Sequence, residues 1–306
     1  MTGAPADLVV QGPDLSAQAI AAFRDRFASA PLRKRAASVR FEAAGQDPQA
    51  ATHAAQLAER WRCDATLVAP GIALADFRVL ALDMDSTLIG VECIDELAKL
   101  AGRGAEVTAI TEAAMRGEIA DFATSLRRRV ALLAGADASL LERVARERMQ
   151  LSPGGERLLQ AARQAGLRTL LVTGGFTFFA QMLRSQLRID TVCANELQIR
   201  DGRLTGEVRA PAQDPQSLVD SQGKARALLR ACADAGCTAA QAIAIGDGAN
   251  DLPMLSLAGV GVAYRAKPLV RSSAAYRLDY SGLDGVLEWF RAPSGAPLHR
   301  REFLTS

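Results

Sequence analysis

RVLALDMDSTLIG, residues 78–90, is the stretch that decides the fold. Its first part is an apolar run typical of a buried strand, and two carboxylates, Asp83 and Asp85, follow where that strand ends. A charge buried in an apolar core is costly unless it is paired or bound to a metal ion. Alternate side chains on a strand share a face, so both acids could face a pocket above a sheet. A lone pair of this kind is equally well explained by a helix cap and a surface acid, so other motifs have to decide.

Length and charge restrict the classes of protein to consider. The chain has 306 residues and a net charge of +2, with 49% hydrophobic and 23% charged residues. These values are ordinary for a soluble globular protein of two or three domains. The near-neutral charge argues against nucleic acid as a partner. No uninterrupted apolar run reaches the roughly 18 residues of a membrane helix, so we expect no membrane partner either.

The five cysteines are widely spaced and form no CxxC motif, which disfavours a disulfide framework and a zinc site. The start of the chain, MTGAPADLVV, lacks the basic and apolar segments of a signal peptide. We therefore expect free thiols and a cytoplasmic protein. The two histidines, His53 and His299, lie far from the candidate motifs, which argues against histidine-based chemistry.

Strands and helices alternate from residue 78 onward. Apolar strands are predicted at 78–83, 167–175, 242–246 and 260–264, and helices at 152–166 and 223–236. For the helix at 152–166 we expect Ser152 as the N-cap, Pro153 as the first helical residue and Gly166 just past the end. This alternation predicts an α/β fold with a Rossmann-like parallel sheet and helices on both faces. In such sheets ligands bind at the carboxyl ends of the strands.

Residues 91–150 interrupt this pattern with four stretches of helical periodicity, which predict a helical cap inserted after the first strand. ANELQIRDGRLTGEV, residues 194–208, predicts a hairpin that turns at Asp201 and Gly202. Together these features predict one catalytic domain over residues 76–291. Residues 292–306 are rich in Pro, Gly and Arg, and we expect a flexible tail there.

Residues 1–75 predict a separate small α+β domain of the ferredoxin-like type. Strands are predicted near 8–10, 36–44 and 63–69, and helices at 14–28 and 48–62, the first capped by Asp14 or Ser16. This block resembles ACT-like modules, many of which bind amino acids or mediate dimers. A homodimer is therefore an expectation that rests on analogy of fold alone.

Four motifs occur in a fixed order: DMDST at 83–87, VTGG at 172–175, Gly-Lys at 223–224 and GDGAND at 246–251. The set resembles the haloacid dehalogenase superfamily of phosphohydrolases over roughly residues 78 to 270. The resemblance implies that Asp83 is a nucleophile that forms an aspartyl-phosphate. It also implies that Asp85 protonates the leaving alcohol and then activates water.

The same resemblance implies a metal and phosphate site. Mg²⁺ would be held by Asp83, the backbone carbonyl of Asp85, and Asp247, all hard oxygen ligands. By itself Lys224 is more typical of a solvated surface lysine, and the glycines and acids of the other motifs could be turns. The full motif set favours phosphate-binding roles for Thr173, Gly174, Lys224 and Asn250, with Asp251 in support.

Longer stretches narrow the resemblance to the phosphoserine phosphatase family: DMDSTLIGVECIDELA, MRGEIADFATSLRRRVALL, VTGGF and ANELQIRDGRLTGEV. This implies that Glu92 receives the substrate ammonium and that Arg129 clamps its carboxylate with a bidentate fork. Met115 and Phe122 would be apolar cap residues that cover the site. Arg129 is one of three consecutive arginines that could equally lie on a solvated helix face, and only the match of SLRRRV selects it. Thr173 stands where many members of the family carry Ser.

The implied activity is hydrolysis of O-phospho-L-serine to L-serine and phosphate, the last step of serine biosynthesis. One alternative is another small-molecule phosphatase or phosphotransferase of the same superfamily, because the motifs would be identical. A second alternative is an amino-acid-sensing regulatory protein with a vestigial catalytic domain. The intact set of Asp83, Asp85, Lys224 and Asp247 argues against the second alternative.

Overall fold

The computed structural model describes residues 6–47 and 49–291, and these residues form two sheets. The smaller sheet is antiparallel, with strand order β2-β3-β1-β4. Its elements are β1 (Asp7–Gln11), α1 (Ala17–Arg26), β2 (Leu32–Lys34), β3 (Ser38–Phe41), α2 (Ala50–Trp61) and β4 (Asp64–Val68). This βαββαβ order is the ferredoxin-like arrangement that the sequence predicts.

One face of the small sheet forms its own apolar core. Leu8, Val10 and Phe41 on that face pack against Phe23 of α1 and the buried alanines of α2. Ser16 caps α1 by accepting a hydrogen bond from the Ala19 amide at 3.1 Å, so Ser16 rather than Asp14 is the N-cap. The sequence did not predict β2, because its three residues are mostly polar and exposed and show no apolar alternation.

The larger sheet has seven strands in the order β11-β10-β9-β5-β6-β7-β8. All neighbours are parallel except β8, which pairs antiparallel with β7. The chain moves outward from β5 in one direction and then returns to build the other side from β9, so the switch point lies between β5 and β9. The strands are β5 (Val79–Leu82), β6 (Arg168–Phe176), β7 (Thr191–Arg200), β8 (Arg203–Arg209), β9 (Ala242–Gly246), β10 (Val260–Tyr264) and β11 (Tyr276–Leu278).

Helices form the predicted cap and cover both faces of the large sheet. The cap follows β5 and comprises α3 (Cys93–Leu100), α4 (Gly104–Met115), α5 (Phe122–Ala131) and α6 (Ser139–Glu147). The others are α7 (Gly155–Gln164), α8 (Thr177–Leu187), α9 (Ser221–Asp234), α10 (Leu252–Leu257) and α11 (Pro268–Ser273). None of the helices in the described part of the chain has both the length and the apolar character to cross a membrane.

The central strand β5 shows why both faces of the sheet are buried. Val79 and Ala81 belong to the apolar cluster with α9, α10 and α11, whereas Leu80 and Leu82 belong to the cluster with α7 and α8. A strand that is apolar on both faces can only lie inside a layered α/β structure. The prediction of a parallel sheet with helices on both sides is confirmed.

The predicted start of α7 is wrong. The helix begins at Gly155, and Ser152 and Pro153 precede it in a turn. Tertiary hydrogen bonds hold that turn, because the Ser152 amide donates to Leu88 O at 2.9 Å and Pro153 O accepts from the Leu283 amide at 2.7 Å.

The two predicted glycine positions fit the backbone. Gly166 follows α7 with a φ of 83°. Asp201 and Gly202, at the turn between β7 and β8, have φ values of 51° and 72°. Positive φ at both central residues is the requirement of a type I′ hairpin turn, so the predicted hairpin is confirmed.

The second face of the small sheet packs on the end of the large domain through buried polar groups. The Asp64 carboxylate accepts hydrogen bonds from the amides of Asp279, Tyr280 and Ser281 at 2.7, 3.2 and 2.8 Å. Arg40 donates to the carbonyl of Trp289 at 2.6 Å. The two units are therefore joined by specific contacts. The predicted domain boundary near residue 75 stays a prediction, and the predicted tail at 292–306 lies outside the described residues.

Asp64→Ala tests this junction. The change leaves three backbone amides without their carboxylate acceptor, so we expect the free energy of unfolding to fall by about 2–3 kcal/mol. Urea denaturation followed by circular dichroism measures the loss. Asp25→Ala is the control, because Asp25 is exposed on α1, and surface changes usually stay within about 0.5 kcal/mol. Equal losses in both variants would contradict the described junction.

Candidate active site

The two acids of the opening motif lie in an irregular turn directly after β5. Asp83 is buried, with 5% of its surface exposed, and it follows the last residue of the strand. Asp85 accepts hydrogen bonds from the Cys93 amide at 3.0 Å and from the Thr173 hydroxyl at 3.3 Å. The backbone is extended at Asp85 and changes direction at Ser86, which has a positive φ of 57°. The turn thus links β5, β6 and the start of the cap.

Lys224 is the buried cation of the site. Its side chain is fully buried, and its Nζ lies 2.7 Å from Asp83 Oδ1 and 2.7 Å from Asp251 Oδ1. Burial alone would lower the pKa of Lys224, but the carboxylates of Asp251 and Asp83 raise it above the usual value. Lys224 is therefore an ammonium group at the carboxyl end of the sheet. The interpretation as a solvated surface lysine is excluded.

Three acids form a cluster that could hold a metal ion. Carboxylate oxygens of Asp83, Asp247 and Asp251 lie within 4.8 Å of one another, and all three residues are buried. Both oxygens of Asp251 are already engaged, one by Lys224 and the other by the Gly248 amide at 3.0 Å. Asp251 therefore supports the cluster, and Asp83 and Asp247 are better placed to bind a cation.

The electrostatics of this cluster favour a cation. Burial raises the pKa of Asp83 well above its usual value, and repulsion from Asp251 adds to the effect while Lys224 opposes it. Burial and Asp251 also raise the pKa of Asp247 to about 6, with Lys267 opposing. The nearby lysines do not fully compensate the negative charge of these buried acids. A divalent cation such as Mg²⁺, which prefers hard carboxylate oxygens, would compensate it.

The VTGG motif brings backbone close to Asp85. Thr173 is buried in β6 where the pairing with β7 becomes irregular, and its Oγ1 accepts a hydrogen bond from the Gly175 amide at 2.8 Å. A Cβ atom at Gly175 would lie 2.4 Å from Asp85 Oδ2, and one at Gly174 would lie 2.6 Å from the Phe122 ring. Only glycines allow the loop to approach the acid on one side and the cap on the other.

Sequence reasoning missed a buried residue that holds this loop. Asn195 on β7 is fully buried, donates to Gly174 O at 2.9 Å and accepts from the Val219 amide at 2.8 Å. It fixes the glycine loop relative to the segment before α9. The signal was available, because Asn is unfavourable in a buried strand unless its amide is satisfied.

Two more missed residues lie inside the quoted DMDST motif. The Thr87 hydroxyl donates to Asp247 Oδ1 at 3.1 Å, and the Ser86 hydroxyl donates to Glu92 Oε1 at 2.8 Å. The motif thus orients a candidate metal ligand and a candidate substrate ligand with the two residues that follow Asp85.

The structure defines the positions of three of the four predicted cap residues. Glu92 directly precedes α3, and Phe122, at the start of α5, lies over Gly174. Arg129 is half-buried, whereas its neighbours Arg127 and Arg128 are exposed, so the structure separates it from them as the family match requires. Met115 ends α4, but its side chain is outside the described part of the chain.

Known proteins resemble both the sequence and the fold. The profile of the haloacid dehalogenase-like hydrolase family matches residues 80–256. The chain belongs to this hydrolase family. Proteins named phosphoserine phosphatase are similar to it: one from Polaromonas sp. strain JS666 is 52% identical over 219 residues, which are 72% of this chain and 92% of the relative. One from Albidiferax ferrireducens is 49% identical over 223 residues, 73% of this chain and 93% of the relative.

Solved structures match nearly the whole hydrolase. A haloacid dehalogenase family hydrolase from Salmonella enterica serovar Typhi superposes with a TM-score of 0.81 at 29% identity, over 93% of this chain and 98% of that one. A probable phosphoserine phosphatase from Vibrio cholerae, in unliganded form, gives 0.78 at 34% identity, over 93% and 86%. The coverage shows that the arrangement of the small N-terminal sheet and the large sheet is shared.

Asp85 has the electrostatic setting of an acid-base group in this hydrolase. Burial raises the pKa of Asp85 to about 7, with a further rise from Glu92, while hydrogen bonds from Cys93 lower it. A group with a pKa near neutrality can both give and take a proton at the working pH. Asp83, bonded to Lys224, and Asp85, bonded to neutral donors, are therefore set up for different tasks.

Asn250 is the predicted residue with the least support. It lies in the turn of Ala249–Asp251, half-buried, with no hydrogen bond to the acids or the glycine loop among the described residues. Its phosphate-binding role stays a prediction.

Gly175→Ala tests the close approach of the loop to Asp85. The added methyl must displace the Asp85 carboxylate, and a shift of about 1 Å in a reacting group can lower the rate on the order of 10²-fold. Phosphate release from p-nitrophenyl phosphate measures the loss, with thermal unfolding as the check on folding. Gly90→Ala is the matched control, since its Cβ would have no atom within 4 Å. A Gly175→Ala variant as active as Gly90→Ala would disprove the close approach.

Proposed function

We propose that this hydrolase is a phosphoserine phosphatase that converts O-phospho-L-serine to L-serine and phosphate. The observation that carries the proposal is the contrast between the two acids of DMDST. Asp83 is bonded to a buried ammonium, and Asp85 has a pKa near 7 and lies beside the threonine of the glycine loop. The named relatives support the choice of substrate. The reaction is the last step of serine biosynthesis.

In the first half of the reaction, a carboxylate oxygen of Asp83 attacks phosphorus. The oxygen–phosphorus bond to Asp83 forms as the ester bond from phosphorus to the serine oxygen breaks. Protonated Asp85 gives its proton to the serine oxygen, so L-serine leaves as the neutral alcohol. The phosphoryl group is then carried by Asp83.

In the second half, Asp85 acts as a base. Its carboxylate takes a proton from a water molecule as that water attacks phosphorus. The bond between Asp83 and phosphorus breaks, which regenerates the Asp83 carboxylate and the protonated Asp85 and releases phosphate. A pKa near 7 suits a group that must change protonation state twice in each cycle.

The phosphate oxygens are held by groups at the same sheet edge. The Thr173 hydroxyl, the Gly174 amide and the Lys224 ammonium are the proposed donors, with Asn250 from the turn after β9. Lys224 belongs to the first turn of a helix of 14 residues, where the helix dipole also favours an anion. Thr173 in place of the more common Ser keeps the hydroxyl that this role needs.

Mg²⁺ would be held by Asp83, the backbone carbonyl of Asp85, and Asp247. When bound, the ion neutralises charge so that an anionic carboxylate can approach an anionic phosphate. The protein's own part is to orient the ligands: Thr87 holds one oxygen of Asp247, and Lys224 holds one oxygen of Asp83 and Asp251.

The serine part of the substrate is held by the cap. Glu92 is the proposed partner of the ammonium and Arg129 of the carboxylate, and Phe122 and Met115 are the apolar residues proposed to cover the site. No carboxylate among the described residues lies within 4.0 Å of the Arg129 nitrogens. Apart from Nε, which donates to Ser125 O at 3.4 Å, its N–H donors have no protein partner among the described residues and are available for a substrate carboxylate.

Experiments can distinguish this proposal from the two alternative functions that the sequence leaves open. A phosphotransferase or a phosphatase for another small molecule would share the chemistry but would not depend on both Glu92 and Arg129. An amino-acid sensor would lack turnover. The ACT-like role of the N-terminal unit and a homodimer stay predictions. So does the cytoplasmic location, with which five unpaired cysteines, four of them buried, agree.

Asp83→Asn should abolish phosphate release and leave the fold intact, because Lys224 keeps Asp251 as its partner. The amide is not a nucleophile, so no phosphoenzyme should form. Acid quenching of the protein with ³²P-labelled phosphoserine measures the covalent species, and circular dichroism measures folding. Asp234→Asn, an exposed acid at the end of α9, is the control. Near-normal turnover in Asp83→Asn would refute the mechanism.

Removal of divalent metal should abolish turnover, and Mg²⁺ should restore it. Ca²⁺ should inhibit, because its larger and looser coordination shell misplaces Asp83 relative to phosphorus. Calorimetric titration of Mg²⁺ gives a second readout, in which Asp247→Asn should weaken binding at least tenfold, or about 1.4 kcal/mol. Full activity in excess chelator would exclude the metal site.

A further inference from the structure

The hairpin of β7 and β8 holds the start of the cap helix α5 through the glycine loop. The ring of Phe122, the first residue of α5, lies so close to Gly174 that a Cβ atom there would be 2.6 Å from it. The carbonyl of Gly174 accepts a hydrogen bond from the Asn195 side chain of β7 at 2.9 Å. The start of α5 is thus placed against a loop that β7 fixes.

The same hairpin also binds the chain that leaves α5. The Leu204 carbonyl of β8 accepts from the Gly135 amide at 2.8 Å, and the Leu204 amide donates to Ala136 O at 2.9 Å. The Arg203 guanidinium donates to the Gly135 carbonyl at 2.7 Å. The Leu204 side chain belongs to the buried apolar cluster that contains Val130 of α5. The cap is therefore attached to β8 at the end of this helix.

An irregularity in β8 brings its backbone closest to α5. The pairing of β7 and β8 shifts register between Leu197 and Ile199, and Gly206 lies on the opposite strand between the partners of these two residues. Such bulges bend a strand and re-aim it next to functional sites. Gly206 has a φ of 83°, and a Cβ atom there would lie 2.8 Å from Ala134 Cβ and 3.3 Å from Ala131 O. The approach leaves no room for a side chain.

The two attachments bear on the place of Arg129. Phe122 and Arg129 are seven residues apart, or about two helical turns, so they lie on the same side of α5 and about 10 Å apart along it. Arg129 is two residues before Ala131, where Gly206 approaches the helix. One attachment thus fixes the end of α5 that lies over the glycine loop, and the other fixes the end that carries the arginine.

We propose that Gly206 is a positioning residue that sets the place of Arg129 relative to the phosphate-binding loop. This inference rests on the proposed function, in which the glycine loop holds the phosphate and Arg129 holds the carboxylate. β7 holds the loop through Asn195 and, through β8, the end of α5, so one hairpin fixes the spacing of the two binding groups. A bidentate pair of guanidinium and carboxylate requires such alignment.

Four phosphate esters test this role. O-Phosphoserine has an ammonium and a carboxylate, phosphoethanolamine has the ammonium alone, 3-phosphooxypropanoate has the carboxylate alone, and p-nitrophenyl phosphate has neither. Gly206→Ala places a methyl group against Ala134 and Ala131 and should displace the end of α5. We expect kcat/KM to fall about tenfold for the two carboxylate esters, mainly through KM, because small misplacements of a binding group are costly. The other two esters should change less than twofold.

Gly202→Ala is the matched control. Gly202 lies in the same hairpin with a φ of 72°, but its Cβ would have no atom within 4 Å. Both variants therefore carry the strain of a side chain at positive φ, and only Gly206→Ala reaches the end of α5. Gly202→Ala should leave all four esters within twofold. Thermal unfolding of both variants measures the strain itself.

Two variants at Ala134 test the contact from the other side. Ala134→Gly removes the atom closest to the added methyl group, so it should restore most of the lost kcat/KM when combined with Gly206→Ala. Ala134→Val adds bulk at the same contact without a change at positive φ. It should reproduce the selective loss, and it serves if Gly206→Ala folds poorly.

The outcomes separate this inference from the proposed function. Equal losses of Gly206→Ala on all four esters, a loss matched by Gly202→Ala, or no rescue by Ala134→Gly would show that the hairpin only stabilises the cap. Each of these results would overturn the positioning role and leave the proposed function standing. An Arg129→Ala variant without selective loss on the carboxylate esters would overturn the assigned role of Arg129 and the inference together.

Discussion

The buried ammonium of Lys224 between Asp83 and Asp251 is the interaction on which the site depends. A fully buried charge is tolerated only when it is paired and hydrogen-bonded. Here both partners lie 2.7 Å from Nζ, and they come from the end of β5 and the turn after β9. One side chain of α9 therefore fixes the two strand ends that flank the switch point of the sheet. Replacing Lys224 would leave two buried carboxylates without their cation, whereas replacing one carboxylate would leave Lys224 paired with the other, so Lys224 serves both stability and chemistry.

Most of the large domain could be predicted because its signals are local. β5 is apolar on both faces, and the hairpin turn carries Asp201 and Gly202 at positions that need positive φ. The start of α7 could not be predicted, since bonds of Ser152 and Pro153 to Leu88 and Leu283 override a good capping sequence. β2 was missed because its exposed residues lack an apolar pattern. In both cases the deciding interactions come from residues remote in the chain or from pairing with a neighbouring strand.

The candidate site also contains residues that could be predicted from local sequence and residues that could not. The positions of Asp83, Asp85, Thr173, Lys224 and Asp247 follow from motifs at the ends of parallel strands, which must meet at one edge. Asn195 lies outside these motifs, and although a buried Asn in a strand indicates a satisfied amide, its partners Gly174 and Val219 are distant in sequence. Which residue such a side chain orients is known only from the contacts, even where, as with Thr87, it lies inside the motif itself.

The two acids of the opening motif show how one turn can create two different reagents. Position along the chain places both at the sheet edge, but Asp83 is paired with the Lys224 ammonium and Asp85 is bonded to the threonine of the glycine loop and to the start of the cap. The absent side chains at Gly174 and Gly175 are part of this difference, because a methyl group at Gly175 would occupy the space of Asp85 Oδ2. Burial raises the pKa of both acids, so the difference between them lies in their partners, which are the Lys224 ammonium at Asp83 and neutral donors at Asp85. The backbone of the turn after β5 produces this difference in partners, so the difference is present without a substrate.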